Sequence, residues 1–114
     1  MGTLILIRHG RTPPNEQGIL AGRTPGVMLD EVGLKSTDAL QKKFAELNVV
    51  KVVASPLERT VQTAKLVFPN QEPDTHHGLI ECEYGDWTGR KLEELKDEPL
   101  WKTVVKEPHK VQFP

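Results

Sequence analysis

The sequence predicts an α/β fold with a mainly parallel sheet. Short apolar runs typical of strands alternate with segments of helical periodicity, in the order strand, helix, strand, helix, strand. The first run, residues 3–7, is continuous and rich in β-branched residues, which is typical of a strand buried on both faces of a parallel sheet. Right-handed crossovers between such strands would bring their carboxyl ends to one edge.

A long loop and a helix are predicted after the first strand. Prolines and glycines recur through residues 13–26, which indicates a loop. Asp30 is a typical N-cap residue, so we expect a helix to begin directly after it. The apolar residues expected near one face of this helix are Leu34, Leu40, Phe44, Ala45 and Leu47.

A second strand and a second helix are predicted in the middle of the chain. The valine-rich run 49–54 favours a strand. Ser55 favours an N-cap and Pro56 the first helical position, because a proline there lacks an N–H that would have no partner in the helix. We expect this helix to end at Pro69.

Shorter elements are predicted for the last third of the chain. Residues 75–80 favour a third strand, and residues 91–96 and 100–105 favour short helices. The tail beyond them has no regular pattern. Trp87 and Trp101 are interpreted as packing residues.

Composition and charge narrow the functional classes. The chain has 114 residues, and 15 Lys and Arg against 16 Asp and Glu give a formal net charge of −1. This length fits one domain, and the near-zero charge argues against nucleic-acid binding through a basic surface. Cys82 is the only cysteine, no apolar run is long enough to span a bilayer, and no signal-peptide pattern is present. We therefore predict a cytoplasmic protein with no nucleic-acid or membrane partner.

Chemically distinctive side chains follow each of the three predicted strands. Arg8 and His9 follow the first, Arg59 lies one turn into the helix after the second, and Glu81 and Glu83 follow the third. In open α/β sheets, ligands bind at the carboxyl ends of the strands. We therefore expect these groups to converge on one rim of the sheet.

This combination of residue types favours chemistry on a phosphate group. Guanidinium groups bind phosphate oxygens through paired, charge-assisted hydrogen bonds. The imidazole of His9 can attack phosphorus, and Gly10 beside it lets an anion approach the backbone. A glutamic acid can protonate a departing alkoxide. Each residue taken singly is more often an ordinary surface side chain, so the prediction depends on their joint occurrence.

Four segments and one asparagine, in order along the chain, resemble the histidine phosphatase superfamily, which has the phosphoglycerate mutase-like fold. This resemblance implies a three-layer α/β sandwich around a mainly parallel sheet. The matching stretches are LILIRHGRT at 4–12, Asn15, LDEVG at 29–33, SPLERTVQTA at 55–64 and LIECEYGDWTG at 79–89.

The resemblance implies a role for particular residues. His9 matches the nucleophile that becomes phosphohistidine, and Glu81 matches the proton donor. Glu83 is the weaker candidate for the proton donor. The residues matched to phosphate binding are Arg8, Asn15 and Arg59. Arg23 is interpreted as lining the substrate mouth. No metal or organic cofactor is implied, and the expected ligands are a small phosphorylated substrate or inorganic phosphate.

The sequence also departs from the family pattern. The family has a second histidine at the end of a later strand, and none of His76, His77 and His109 matches it. Residues 111–114, VQFP, resemble the start of a further family segment. We therefore expect residues 1–114 to be the N-terminal part of a single, truncated histidine phosphatase domain. Such a part would leave a sheet edge uncovered, and we expect it to form a dimer or larger assembly if it folds alone.

Three functional hypotheses remain open at this point. The first is a phosphomonoesterase that acts on a small phosphate ester through a phosphohistidine. The second is phosphoglycerate mutase-type phosphotransfer, which uses the same early pocket. The third is a catalytically inactive fragment that binds phosphate, because loss of one transition-state donor typically costs about 10²–10³ in rate. The long insertion of dedicated mutases is not evident after the acid segment, which favours the phosphatase.

Overall fold

Helices carry most of the regular structure, and the sheet is short. The computed structural model describes all 114 residues, Met1–Pro114. The helices are α1 (Pro13–Gln17), α2 (Glu31–Phe44), α3 (Glu58–Val67), α4 (Leu92–Leu95) and α5 (Trp101–Lys106). The strands β1 (Val53–Ala54) and β2 (Asp74–Thr75) pair in parallel, on either side of α3 in the chain. This helix between two parallel strands is the α/β unit that the sequence predicts.

The N-terminal run 3–7 is not the buried strand that the sequence predicts. Leu4 and Leu6 are 82% and 86% exposed, and no backbone hydrogen bond joins this run to another strand. An apolar, β-branched run indicates only a preference for the interior of a sheet. The sheet here consists of β1 and β2, which pair with each other, so residues 3–7 have no strand to pair with and the prediction is wrong. Its backbone groups and apolar side chains are therefore free to meet another polypeptide surface.

We expect this exposed run to cause self-association. In sedimentation velocity over a concentration series, the wild-type chain should sediment as a dimer or larger species. Exchanging both leucines for serine, Leu4→Ser with Leu6→Ser, should shift it to monomer, since the apolar area is removed. Val50→Ser, at a residue 91% exposed elsewhere, is the matched control and should leave association unchanged. A wild-type chain that stays monomeric at high concentration contradicts the prediction.

The predicted loop 13–26 contains the short helix α1. Thr12, which is fully buried, caps it by accepting a hydrogen bond from the Asn15 N–H, and the Asn15 side chain accepts one from the Thr12 N–H. Pro13 and Pro14 occupy the first turn, where a missing N–H has no cost. The prolines indicate only a loop, whereas the reciprocal Thr12–Asn15 cap makes this segment a helix start.

Helix α2 begins where predicted, and its inward face carries small residues together with the half-buried Leu40 and Phe44 of the predicted apolar stripe. The Asp30 carboxylate accepts a hydrogen bond from the Gly33 N–H at 2.8 Å, which confirms Asp30 as the N-cap. Gly33 and Thr37 are buried, whereas Leu34 is 42% exposed. The reason is steric, because the backbone of Arg11 lies directly against α2 at residue 33 and a Cβ there would overlap the Arg11 carbonyl. Small residues thus define this contact.

The variant Gly33→Ala tests this close approach. Alanine normally stabilises a helix interior relative to glycine by about 1 kcal/mol, so a surface position would gain stability. Here we expect a loss of about 1–3 kcal/mol in the free energy of unfolding, because the Arg11 backbone must move away. Chemical denaturation measures it, with Lys35→Ala on the exposed side of α2 as control. A gain in stability at residue 33 would refute the packing described.

Helix α3 begins later than the sequence predicts. Its first residue is Glu58 and its N-cap is Leu57, which provides no side-chain cap, so the assignment of Ser55 and Pro56 to the helix start is wrong. The Ser55 hydroxyl instead accepts from the Leu57 N–H across a turn, at 3.4 Å. The helix ends at Val67, before Pro69, as predicted.

The remaining strands are shorter than predicted, and the late helices are confirmed. The run 49–54 contributes only β1, and residues 75–80 contribute only the end of β2 before a single 3-10 turn at His77–Leu79. Helices α4 and α5 lie within or next to the predicted ranges. Trp87 is buried and stacks on Trp101 with ring centroids 6.2 Å apart, as packing residues do.

The chain has a thin core. Only 15 of its 114 residues are buried, and its radius of gyration is 15.9 Å, whereas a compact domain of this length has about 13 Å. No helix combines the length and apolar character needed to cross a bilayer. No group of three or more His, Cys, Asp or Glu side chains is placed to hold a metal ion.

Candidate functional site

His9 lies in a backbone segment that is fixed from two sides. The Gly10 N–H donates to the Thr63 hydroxyl of α3 at 3.1 Å, and Gly10 packs on the backbone of Gly33 in α2. The His9 Nδ1 lies 2.7 Å from the Gly10 carbonyl oxygen. Because a carbonyl only accepts, Nδ1 carries the proton, and the lone pair of the neutral ring is on Nε2. Nε2 is therefore the atom available as a nucleophile.

The surroundings of His9 favour this neutral form. Burial lowers the pKa of His9 below its ordinary value, and the charges of Arg59 and Arg8 lower it further. The hydrogen bond to Gly10 and the charge of Glu81 oppose this shift but do not cancel it. At neutral pH the ring is therefore uncharged and can use its Nε2 lone pair.

Arg59 is the buried cation of this region. Only 4% of the residue is exposed, although a helix arginine is usually solvated. One guanidinium nitrogen, Nη2, donates to the Gly22 carbonyl at 2.8 Å and lies 4.0 Å from the Glu81 Oε2. This is its one hydrogen bond to the protein, so most of its donors remain available for a ligand.

The carboxylate of Glu81 is held unequally at its two oxygens. Oε1 accepts from the Cys82 N–H at 2.8 Å and from the Tyr84 hydroxyl at 3.0 Å. Oε2 accepts no hydrogen bond and faces Arg59. The side chain is 39% exposed, so it can meet both an incoming ligand and water.

Arg8 and Asn15 line a cavity with His9. This cavity of about 280 Å³ also reaches Arg11 and the first half of α2. The Asn15 side-chain oxygen accepts from the N–H and the hydroxyl of Thr12 at 3.1 and 2.9 Å, so its amide N–H groups are directed away from that cap. Arg59 and Glu81 do not line this cavity, and they act on His9 through their charges.

Arg23 lies against the acid segment rather than in the cavity. Its Nε donates to the Glu81 carbonyl oxygen at 2.6 Å, and its Nη1 lies 3.8 Å from the Glu83 carboxylate. Glu83 is 63% exposed and makes this one ion pair. Arg23 therefore fastens the loop after α1 to the backbone that carries Glu81.

Two further residues, Tyr84 and Thr63, hold the site in place without having been predicted from the sequence. Tyr84 follows Glu81 by three residues and is the only tyrosine in the chain, which is a usable signal for a local hydrogen bond. Burial, followed by the charge of Glu81, raises the pKa of Tyr84 to about 12. Thr63 gives no comparable signal, because its link to Gly10 joins residues that are 53 positions apart.

A family model and several curated proteins are similar in sequence to this chain. The model of the histidine phosphatase superfamily (branch 1) matches residues 4–114. Phosphoserine phosphatase 1 of Hydrogenobacter thermophilus is 32% identical over 120 residues, covering 99% of this chain and 55% of that protein. Fructose-2,6-bisphosphatase TIGAR of Xenopus tropicalis is 33% identical over 99 residues, covering 82% of this chain and 36% of that protein.

Solved structures of phosphatases are also similar to this chain. Phosphoserine phosphatase of Entamoeba histolytica, in complex with 3-phosphoglyceric acid, superposes with a TM-score of 0.77 at 27% identity. That match covers 85% of this chain and 48% of that chain. The chain thus spans about half the length, or less, of the proteins it matches.

Proposed function

The chain belongs to the histidine phosphatase superfamily (branch 1), with a phosphoglycerate mutase-like fold, and we propose that it acts on a small phosphate ester through a phosphohistidine at His9. The observation that carries this proposal is the Nδ1 contact of His9 with Gly10, which leaves Nε2 free beside the charges of Arg59 and Glu81. The relatives support it, since they include a phosphoserine phosphatase, a fructose-2,6-bisphosphatase and an adenosylcobalamin/alpha-ribazole phosphatase.

The first step transfers the phosphoryl group to the protein. The His9 Nε2 attacks phosphorus, the bond between phosphorus and the ester oxygen breaks, and the departing alkoxide takes a proton from Glu81. The product alcohol leaves, and the phosphoryl group stays on His9. Arg59, Arg8 and the Asn15 amide offset the negative charge on the phosphoryl oxygens during this transfer.

The second step returns His9 to its starting state. Glu81, now a carboxylate, takes a proton from a water molecule that attacks the phosphohistidine. The bond between Nε2 and phosphorus breaks, and inorganic phosphate leaves. Atoms and protons balance over the two steps, because the proton that Glu81 gives to the alcohol is replaced from water.

Detection of the intermediate tests this function directly. The chain is mixed with p-nitrophenyl phosphate, quenched in base and examined for a phosphoryl group that is stable to base and labile to acid, as a phosphoramidate is. A phosphorylated peptide containing His9 is the expected result. Phosphate on another residue, or burst-free hydrolysis without any phosphoprotein, would overturn the proposal.

A second candidate function is phosphate binding without efficient turnover. The observation in its favour is that His76, His77 and His109, the remaining histidines, are all exposed, so none of them supplies a further buried imidazole beside His9. Binding of inorganic phosphate without phosphohistidine formation, measured by isothermal titration calorimetry and the trapping experiment together, would favour this candidate.

A further inference from the structure

The two oxygens of the Glu81 carboxylate have different surroundings, and one side chain accounts for much of the difference. Oε1 receives two hydrogen bonds, from the Tyr84 hydroxyl at 3.0 Å and the Cys82 N–H at 2.8 Å. We propose that Tyr84 is a positioning residue for the acid, holding Oε1 so that Oε2 alone carries and delivers the proton. This inference rests on the proposed function, in which Glu81 protonates the leaving group.

The ring of Tyr84 is itself held in place. Phe113 meets it edge-on, with ring centroids 5.0 Å apart and an angle of 85° between the planes. On another side it lies against Gly22, where a Cβ would come within 3.1 Å of the tyrosine Cδ2. A ring confined in this way brings its hydroxyl to Glu81 with little further loss of conformational entropy.

The Tyr84 hydroxyl remains a hydrogen-bond donor at neutral and moderately alkaline pH. Burial and the neighbouring Glu81 charge raise the pKa of Tyr84 to about 12, so the phenol stays protonated well above neutral pH. The carboxylate can only accept from it. Tyr84 thus stabilises negative charge on Glu81, which is the charge that appears when the acid gives up its proton.

The geometry separates the two functions of the carboxyl group. In the first step the bond between Oε2 and its proton breaks, a bond from that proton to the alkoxide oxygen forms, and the electron pair remains on Glu81. The Tyr84 O–H and the Cys82 N–H at Oε1 stabilise this product, while Oε2 lies 4.0 Å from Arg59. Without Tyr84, the carboxyl group could rotate and present either oxygen.

The variant Tyr84→Phe tests this role, because it keeps the ring contacts with Phe113 and removes only the hydroxyl. An alkyl phosphate such as 3-phosphoglycerate needs proton donation to its leaving group, whereas p-nitrophenolate leaves without a proton. We expect kcat/KM to fall about tenfold for the alkyl phosphate, a fraction of the usual contribution of a general acid, and less than about twofold for p-nitrophenyl phosphate. Equal changes for both substrates, or no change, would overturn the inference.

A second measurement does not depend on turnover. The Cys82 amide proton bonds to Oε1, so its chemical shift in ¹H–¹⁵N spectra reports the position and charge of the Glu81 carboxylate. In Tyr84→Phe we expect this pH-dependent shift to shrink, because the carboxylate is no longer held at that oxygen. An unchanged Cys82 signal overturns the positioning role.

The control variant and the outcomes separate this inference from the proposed function. Thr88→Val removes a neighbouring buried hydroxyl that has no hydrogen-bond partner, so neither the Cys82 signal nor the ratio between substrates should change. If the wild-type chain forms no phosphohistidine, the proposed function fails. The Cys82 signal of Tyr84→Phe still decides in that case whether Tyr84 holds Glu81.

Discussion

The variant His9→Ala should form no phosphohistidine and should release p-nitrophenol only at the background rate, a loss on the order of 10³-fold or more. The reason is that Nε2 of His9 is the one neutral imidazole nitrogen placed beside the charges of Arg8, Arg59 and Glu81. No other residue of the site could form a bond to phosphorus that is stable in base and labile in acid. Phosphoprotein detection and release of p-nitrophenol measure the two losses separately.

A matched control is available for His9. His77→Ala removes an exposed histidine that does not line the cavity and should leave both measurements unchanged. Because Gly10 and Thr63 fix the backbone here independently of the imidazole, His9→Ala should fold with little loss of stability. Turnover that survives in His9→Ala would remove His9 from the nucleophile role.

The pH dependence has a sign that follows from the pKa of His9. Phosphoryl transfer needs the neutral ring, and the surroundings lower this pKa from its ordinary value of 6.5. As pH falls, activity should therefore persist below 6.5 and then decline as His9 becomes protonated. A decline that begins above 6.5 would show that the cationic form is stabilised instead.

Much of the candidate site could be predicted from the sequence because its parts lie in short contiguous segments. Arg8 and His9 end an apolar run, and Glu81 stands three residues before its partner Tyr84. Local order along the chain is enough to find such groups. The tautomer of His9 could not be predicted, because it depends on the distance from Nδ1 to one carbonyl oxygen.

The parts that depend on distant contacts could not be predicted. The burial of Arg59 depends on the Gly22 carbonyl, 37 positions earlier, and periodicity alone would place this arginine on a solvated helix face. In α2, the apolar stripe correctly predicts that Leu40 and Phe44 face inward, whereas the burial of Gly33 depends on the approach of the Arg11 backbone and could not be predicted. The exposed run 3–7 shows the same limit, because a strand needs a neighbouring strand that its own residues do not specify.

Replacing Arg59 has the second large effect that we expect. Arg59→Gln keeps an N–H that can donate to the Gly22 carbonyl and removes the charge. Since charge-assisted hydrogen bonds to an anion are worth roughly 1.5–3 kcal/mol each, affinity for inorganic phosphate or vanadate should fall about 10- to 100-fold. Loss of one transition-state donor should lower kcat by about 10²–10³. Isothermal titration calorimetry and steady-state kinetics give the two values.

The pKa of His9 distinguishes an Arg59 that binds phosphate from an Arg59 that has only a structural role. The Arg59 charge helps to lower that pKa, so Arg59→Gln should raise it towards 6.5 and move the acid limb of the activity profile to higher pH. Arg90→Gln is the control, because Arg90 pairs with Glu98 at 2.9 Å and is not among the groups that shift the pKa of His9. If Arg59 only fastens the Gly22 loop, its variant loses stability while phosphate affinity and the His9 titration stay as in the wild type. A guanidinium that binds phosphate changes both, because one charge acts on the anion and on the imidazole that attacks it.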